Sequence, residues 1–235
     1  MKNKIKTLVV LFTIFISNTT YSQLIVTNPF AGTFTWSTNG NVISFPYNGL
    51  PITDVSVGNF NKVNVVSSSS SGNFRASGWS TNSIIDPTKY FEFSISVLSG
   101  TTLNISNINF GIGRSSTGPL KYEWRSSIDN YASAITNYST LNTNLTLTNG
   151  TVSTPDLNSS WLNNVVSFSD ITGVENITFR FYGFGSKTNS GTGGFQGSLT
   201  FNGESVSVIP EPSTVGLLVL SGIGLLAYRI RARIS

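Results

Sequence analysis

The sequence predicts an all-β fold: an antiparallel β-sandwich of jelly-roll type, with a signal helix before it and a transmembrane helix after it. Three observations lead there. Across residues 23–207 the apolar positions recur with period two, and no stretch carries a helical period of 3.6. Turn dipeptides interrupt these runs at short intervals. The long uninterrupted apolar runs stand at the two chain ends, each bordered by basic residues.

The first segment begins MKNKIK, continues with the nine apolar-rich residues Leu8 to Ile16, and ends in polar residues with small Thr20 and Ser22. This is the order of a secretory signal peptide: a positive start, a short apolar stretch, and small residues at −3 and −1 of a cut between Ser22 and Gln23. Nine helical residues span roughly 14 Å, about half the hydrocarbon core of a bilayer, which is too short for a permanent anchor.

The body follows at residues 23–207. Phe91, Phe93, Ile95 and Val97 alternate with Glu92, Ser94 and Ser96, predicting a strand with one buried face. Leu103 and Ile105 begin another. The phase slips at Asn107, and Ile108, Phe110 and Ile112 continue the apolar face, so a bulge is expected there. Lys121 to Ser126 places Tyr122 and Trp124 opposite Lys121, Glu123 and Arg125. Ile177, Phe179 and Phe181 mark a further strand, and Phe195, Gly197, Leu199 and Phe201 the last clear one. Turns are expected at Asn39-Gly40, Asn48-Gly49, Ser99-Gly100, Asn149-Gly150 and Asn202-Gly203, with loops at 67–71 and 183–194. Many short strands without internal repeat or linker predict a single two-layer domain, and its length favours a jelly roll over an immunoglobulin-type sandwich.

The C-terminal segment, residues 208–235, reads Val208-Ile209-Pro210-Glu211-Pro212, then an apolar run from Val215 to Tyr228, then a tail with Arg229, Arg231 and Arg233. The run carries no polar stripe, and its non-aliphatic positions are mostly small. The arginines would hold its end in the cytoplasm, while the two prolines bar helix from extending backwards. As a compound pattern this resembles the PEP-CTERM sorting signal of Gram-negative surface proteins. The resemblance implies recognition of Pro210, Glu211 and Pro212 by exosortase, a membrane protease-transpeptidase. The export machinery and signal peptidase would act before it. It further implies a protein exported across the inner membrane, anchored there transiently, then released to the cell surface or extracellular matrix, where exopolysaccharide is an expected associate. The basic tail alternates with Ile230 and Ala232, where the family more often shows consecutive arginines. Tyr90 to Phe93, Leu103 to Phe110, Lys121 to Asp129 and Phe179 to Gly183 look like the body commonly joined to this signal, which implies the fold more than any activity.

The chain of 235 residues has no cysteine and no histidine. That removes disulfides, thiolate zinc sites, cysteine nucleophiles and histidine-dependent hydrolase chemistry. Its net charge of +4 arises at the ends: between Gln23 and Ile209 there are eight basic and nine acidic residues. No clustered cations remain to engage phosphates, so nucleic acid is not an expected partner.

No catalytic residue, cofactor or assignable metal site is expected. Asp54 and Asp129-Asn130 are conceivable calcium ligands but lack a spaced loop pattern. Glu92, Glu123 and Glu175 are the carboxylates a glycoside hydrolase would draw on, although solvated strand faces and turn caps account for most acids here. Tyr122 and Trp124 are the candidate rings for stacking on sugar, against the alternative that they belong to the core. The leading expectation is a non-enzymatic matrix protein. A carbohydrate-binding module is the alternative, and a secreted glycoside hydrolase stands behind it.

Overall fold

The computed structural model describes residues 24–36, 42–68, 72–169 and 171–209. The signal segment, the Ser22–Gln23 cut, Pro210, Glu211, Pro212, the apolar run after them, Arg229, Arg231 and Arg233 all lie outside the described residues, as does the Asn39-Gly40 turn.

In chain order the strands are β1 (Leu24–Thr35), β2 (Ser44–Phe45), β3 (Val55–Val57), β4 (Phe60–Val63), β5 (Val66–Ser68) and β6 (Asn73–Ser77). Three longer strands follow: β7 (Tyr90–Val97), β8 (Thr101–Arg114) and β9 (Lys121–Ser126). After a 3-10 turn at Ser127–Asp129 come the short β10 (Tyr138–Thr140), β11 (Thr146–Thr148) and β12 (Thr151–Ser153). The series closes with β13 (Ser159–Ser167), β14 (Asn176–Phe184) and β15 (Gly193–Ile209). Among the described residues no helix is long and apolar enough to cross a membrane.

The described residues form two antiparallel sheets. One has the order β10-β13-β8-β15-β6-β5, with β1 also on β15; the other has β11-β12-β9-β14-β7-β4-β2, with β3 also on β7. From β6 to β9, and again from β13 to β15, each successive strand crosses to the opposite sheet. The inner faces meet through aromatic rings. Phe181 on β14 and Phe195 on β15 have centroids 4.4 Å apart, Phe60 on β4 lies 5.4 Å from Phe195, and Phe110 on β8 lies 5.6 Å from Trp124 on β9. A fully buried phenylalanine contributes about 1.5–3 kcal/mol, so these inward positions are the main stabilising term.

The alternation in β7 and β14 faces the way the sequence predicts: Phe91, Phe93, Ile95, Ile177, Phe179 and Phe181 are all buried. The bulge expected at Asn107 is present. Asn107 pairs with Asn202, but Ile105 pairs with Gly203, leaving Ser106 as the extra residue. Its hydroxyl donates to the Asn202 carbonyl at 3.0 Å. Asn149-Gly150 turns between β11 and β12 with φ of 49° and 81°, the left-handed pair that a tight hairpin requires. Asn202-Gly203, in contrast, is no turn; β15 runs straight through it. A side chain at Gly203 would meet the Asn104 carbonyl, so this glycine serves close strand approach instead.

Candidate functional site

Tyr122 and Trp124 are 1% and 0% exposed, which corrects their assignment as sugar-stacking rings. Tyr122 stacks on Phe181 at 5.2 Å and its hydroxyl points to the Gly113 carbonyl; Trp124 lies 5.0 Å from Phe181. Alternation in β9 separates the rings from the charges as expected, but the rings take the inward face. Trp36, Trp79 and Trp161 are core residues too.

The outer face of this second sheet is therefore built by the other half of each strand. On β14, Arg180 lies between two rings, 4.1 Å from Tyr90 and 3.7 Å from Tyr131. Its Nε donates to Glu92 Oε2 on β7 at 3.2 Å. Burial works against the Arg180 charge, yet the Tyr182 hydroxyl, Tyr131, Glu92 and Tyr90 outweigh it and raise its pKa. On β9, Arg125 Nη2 and Nε donate to Glu123 Oε2 at 2.8 and 3.1 Å, and Nη1 donates to the carbonyls of Tyr131 and Ala132, each at 2.9 Å. The two arginines thus clamp the 127–135 excursion onto the sheet. Both ion pairs are largely shielded from solvent, with the Glu123 carboxylate also accepting from Thr151 Oγ1 at 2.7 Å.

Beside this clamp the face opens into a trough of about 450 Å³ along β9. Lys121, Glu123 and Arg125 line it from β9; Asn149, Thr151 and Ser153 line it from the β11–β12 hairpin; and Ile84 and Phe184 supply apolar surface. Lys121 Nζ, unlike the two arginines, has no hydrogen bond or ion pair among the described residues. The trough can accept hydroxyls and amides, and its three charged groups leave one positive charge in excess.

The remaining candidates resolve as local structure. Asp129 accepts from the backbone N–H of Ala132 and Ser133 at 3.2 and 2.9 Å, capping its own turn. Asp54 adopts φ 61° beside the β3 turn. Among the described residues no group of three or more His, Cys, Asp or Glu is placed to hold a metal ion. Glu175 stands just ahead of β14, apart from the trough.

Two arginines that sequence reasoning passed over prove central. Arg75 on β6 lies across the outer face of the first sheet, where Nη2 donates to Gln196 Oε1 at 2.7 Å and Ser160 Oγ at 2.9 Å; Gly113 leaves the space for it. Arg114, the last residue of β8, is fully buried and donates to the carbonyls of Pro155, Ser116 and Gly118. The Arg75 partners are 85 and 121 positions away and Pro155 is 41 from Arg114, so these contacts leave no local signal. The nearer Ser116 and Gly118 contribute backbone carbonyls, which carry no residue-type signature.

Residues 208–233 match the family model of the PEP-CTERM protein-sorting motif. A search of curated proteins gives no match to the chain, and a search of solved structures gives none either.

Proposed function

We propose that this is an exported, non-enzymatic protein of the Gram-negative cell surface or extracellular matrix, sorted through its C-terminus. Residues 1–22 serve as the signal peptide, removed between Ser22 and Gln23 by signal peptidase after passage through the export machinery. Residues 208–235 then hold the chain in the inner membrane until exosortase cuts at Pro210-Glu211-Pro212. The single observation that carries this reading is the sorting-motif match over residues 208–233. Its parts divide the work: Pro210 and Pro212 keep the cleavable segment extended, the apolar run occupies the bilayer, and Arg229, Arg231 and Arg233 fix its cytoplasmic end.

The body is the delivered cargo, and we read it as a jelly roll. The order β6-β15-β8-β13 in one sheet, opposite β7-β14-β9-β12 in the other, supports this reading because strands successive in sequence fall on opposite sheets. A matrix role, with exopolysaccharide as the associate, is supported by the sorting match and by short polar side chains exposed on β10 and β11.

Replacing Pro210, Glu211 and Pro212 together with alanine tests the sorting step. The variant is expected to accumulate in the membrane fraction at full precursor length less the signal peptide, whereas the parent protein appears at the surface or in the medium without its C-terminal segment. Secretion of the variant at the parent's mass would overturn the proposal. Mass spectrometry of both termini of the natural product reads the two cuts directly.

A further inference from the structure

We infer that the trough along β9 is a subsite for an acidic sugar residue of an extended polysaccharide, with the sugar's carboxylate on Lys121. The ligand class rests on the surface reading above; the site rests on geometry. Charge comes first. Arg125 and Arg180, the other cations of this outer face, are each held by a carboxylate, through the Glu123 and Glu92 contacts. Lys121 projects into the same trough with no such partner among the described residues. An unmatched cation beside a matched pair favours a ligand that brings one negative charge.

The neighbouring groups suit a polyol. Asn149 and Ser153 line the trough, and neither side chain makes a hydrogen bond among the described residues. Ile84 is 69% exposed at the rim, an apolar surface for the C–H face of a pyranose. The volume of about 450 Å³ lies within the usual range of ligand sites, roughly 300–1,000 Å³.

A peptide fits less well. β9 is already hydrogen-bonded to β12 on one side and β14 on the other, so an extended peptide finds no free backbone edge in the trough. Recognition must run through side chains, and those present are hydroxyl, amide, ammonium and carboxylate groups.

Calorimetric titration of the full chain in detergent with an oligouronate, a neutral hexose oligomer of equal length and oligoglutamate tests this inference. The oligouronate is expected to bind at least tenfold more tightly than either control. Lys121→Met should weaken that binding about tenfold or more, while Lys121→Arg restores most of it. Equal binding of the neutral oligomer, equal binding of oligoglutamate, or indifference to Lys121→Met would each overturn the subsite. An unchanged melting temperature in Lys121→Met is expected and separates lost binding from lost folding. Since the titration uses purified protein, failure here leaves the sorting proposal standing, and failure of the Pro-Glu-Pro variant leaves the subsite standing.

Discussion

Replacing Arg114 with methionine should destabilise the sandwich more than any other single charge removal on its surface or in its core. The side chain is 0% exposed, and its guanidinium ties two loops together. Nη1 donates to the Pro155 carbonyl at 2.9 Å, while Nη2 donates to the carbonyls of Gly118 at 2.9 Å and Ser116 at 3.1 Å. Asp156 stands 3.4 Å from Nη1 but is half exposed, so its charge is shared with water and with Lys187. Most of the stabilisation therefore comes from the carbonyl bonds, and methionine leaves three acceptors without their donor. The Gly118 acceptor is buried and costs about 1–3 kcal/mol when orphaned, while those of Pro155 and Ser116 are only partly buried and cost less. Offset in part by no longer burying a charge, the net loss is about 2–4 kcal/mol. At about 2–4 °C per kcal/mol for a domain of this size, the melting temperature should fall by roughly 4–16 °C. Asp156→Asn should leave the melting temperature nearly unchanged, because exposed pairs contribute little. Thermal unfolding followed by fluorescence of the buried tryptophans measures both variants. A loss below about 1 kcal/mol for Arg114→Met, or an equal loss for Asp156→Asn, would refute the assignment of stability to the carbonyl fork.

Burial lowers the Lys62 pKa from its ordinary value to about 8, although Nζ donates to Ser67 Oγ at 2.8 Å and lies 4.2 Å over the Phe74 ring. Between pH 8 and 10 the unfolded chain binds more protons at this site than the folded one, so stability should rise with pH across that window and be flat below it. Above pH 10 the slope reverses, since burial raises the Tyr122 and Tyr138 pKa values and only the unfolded chain then ionises them. Urea titrations at pH 7 to 10 should show the rise in the parent and none in Lys62→Met; a flat parent profile refutes it. Gly194 has φ 147°, and a Cβ there would sit 2.5 Å from the Phe74 carbonyl oxygen, so Gly194→Ala should cost about 2–5 kcal/mol. Gly100→Ala, with φ 84° but open space around it, should cost about 1 kcal/mol, and equal losses for the two would remove the steric argument.

The parts of the fold that were legible are those in which one physical requirement dominates. In β7 and β14, period-two burial of phenylalanine and isoleucine is visible in the sequence itself, and even the slip at Asn107 carries over into a bulge. Glycine was ambiguous because it meets two different needs. Asn149-Gly150 supplies positive φ in a hairpin, whereas Asn202-Gly203 lets strands approach, and the two dipeptides look alike. For β9 the alternation separates two faces without saying which is inward, and only the cost of exposing Tyr122 and Trp124 decides it. β10, β11 and β12 were not legible: β10 and β11 are mostly exposed, and β12 buries a single residue, Val152, too few to give a burial rhythm. The trough was half legible: Lys121, Glu123 and Arg125 declare a polar face, but Asn149, Ser153 and Ile84 join them only through the fold.

The first and last strands bear directly on the two proposed cuts. Thr33 Oγ1 lies 3.0 Å from Thr200 Oγ1, Gly32 abuts the Phe201 ring, and Phe30 abuts Gly203. Ascending numbers on β1 meet descending numbers on β15, so the two paired strands run antiparallel, β1 starting at Leu24 and β15 ending at Ile209. On its other side β15 pairs with β8 as far as Ser207. Cuts after Ser22 and at Pro210-Glu211-Pro212 therefore fall just outside the described bounds of both strands and remove no residue of β1 or β15. A cut only a few residues further in, after Gly203 for example, would strip partners from both β1 and β8. Under the proposed processing the released body keeps every described strand, which delivery by terminal cleavage requires.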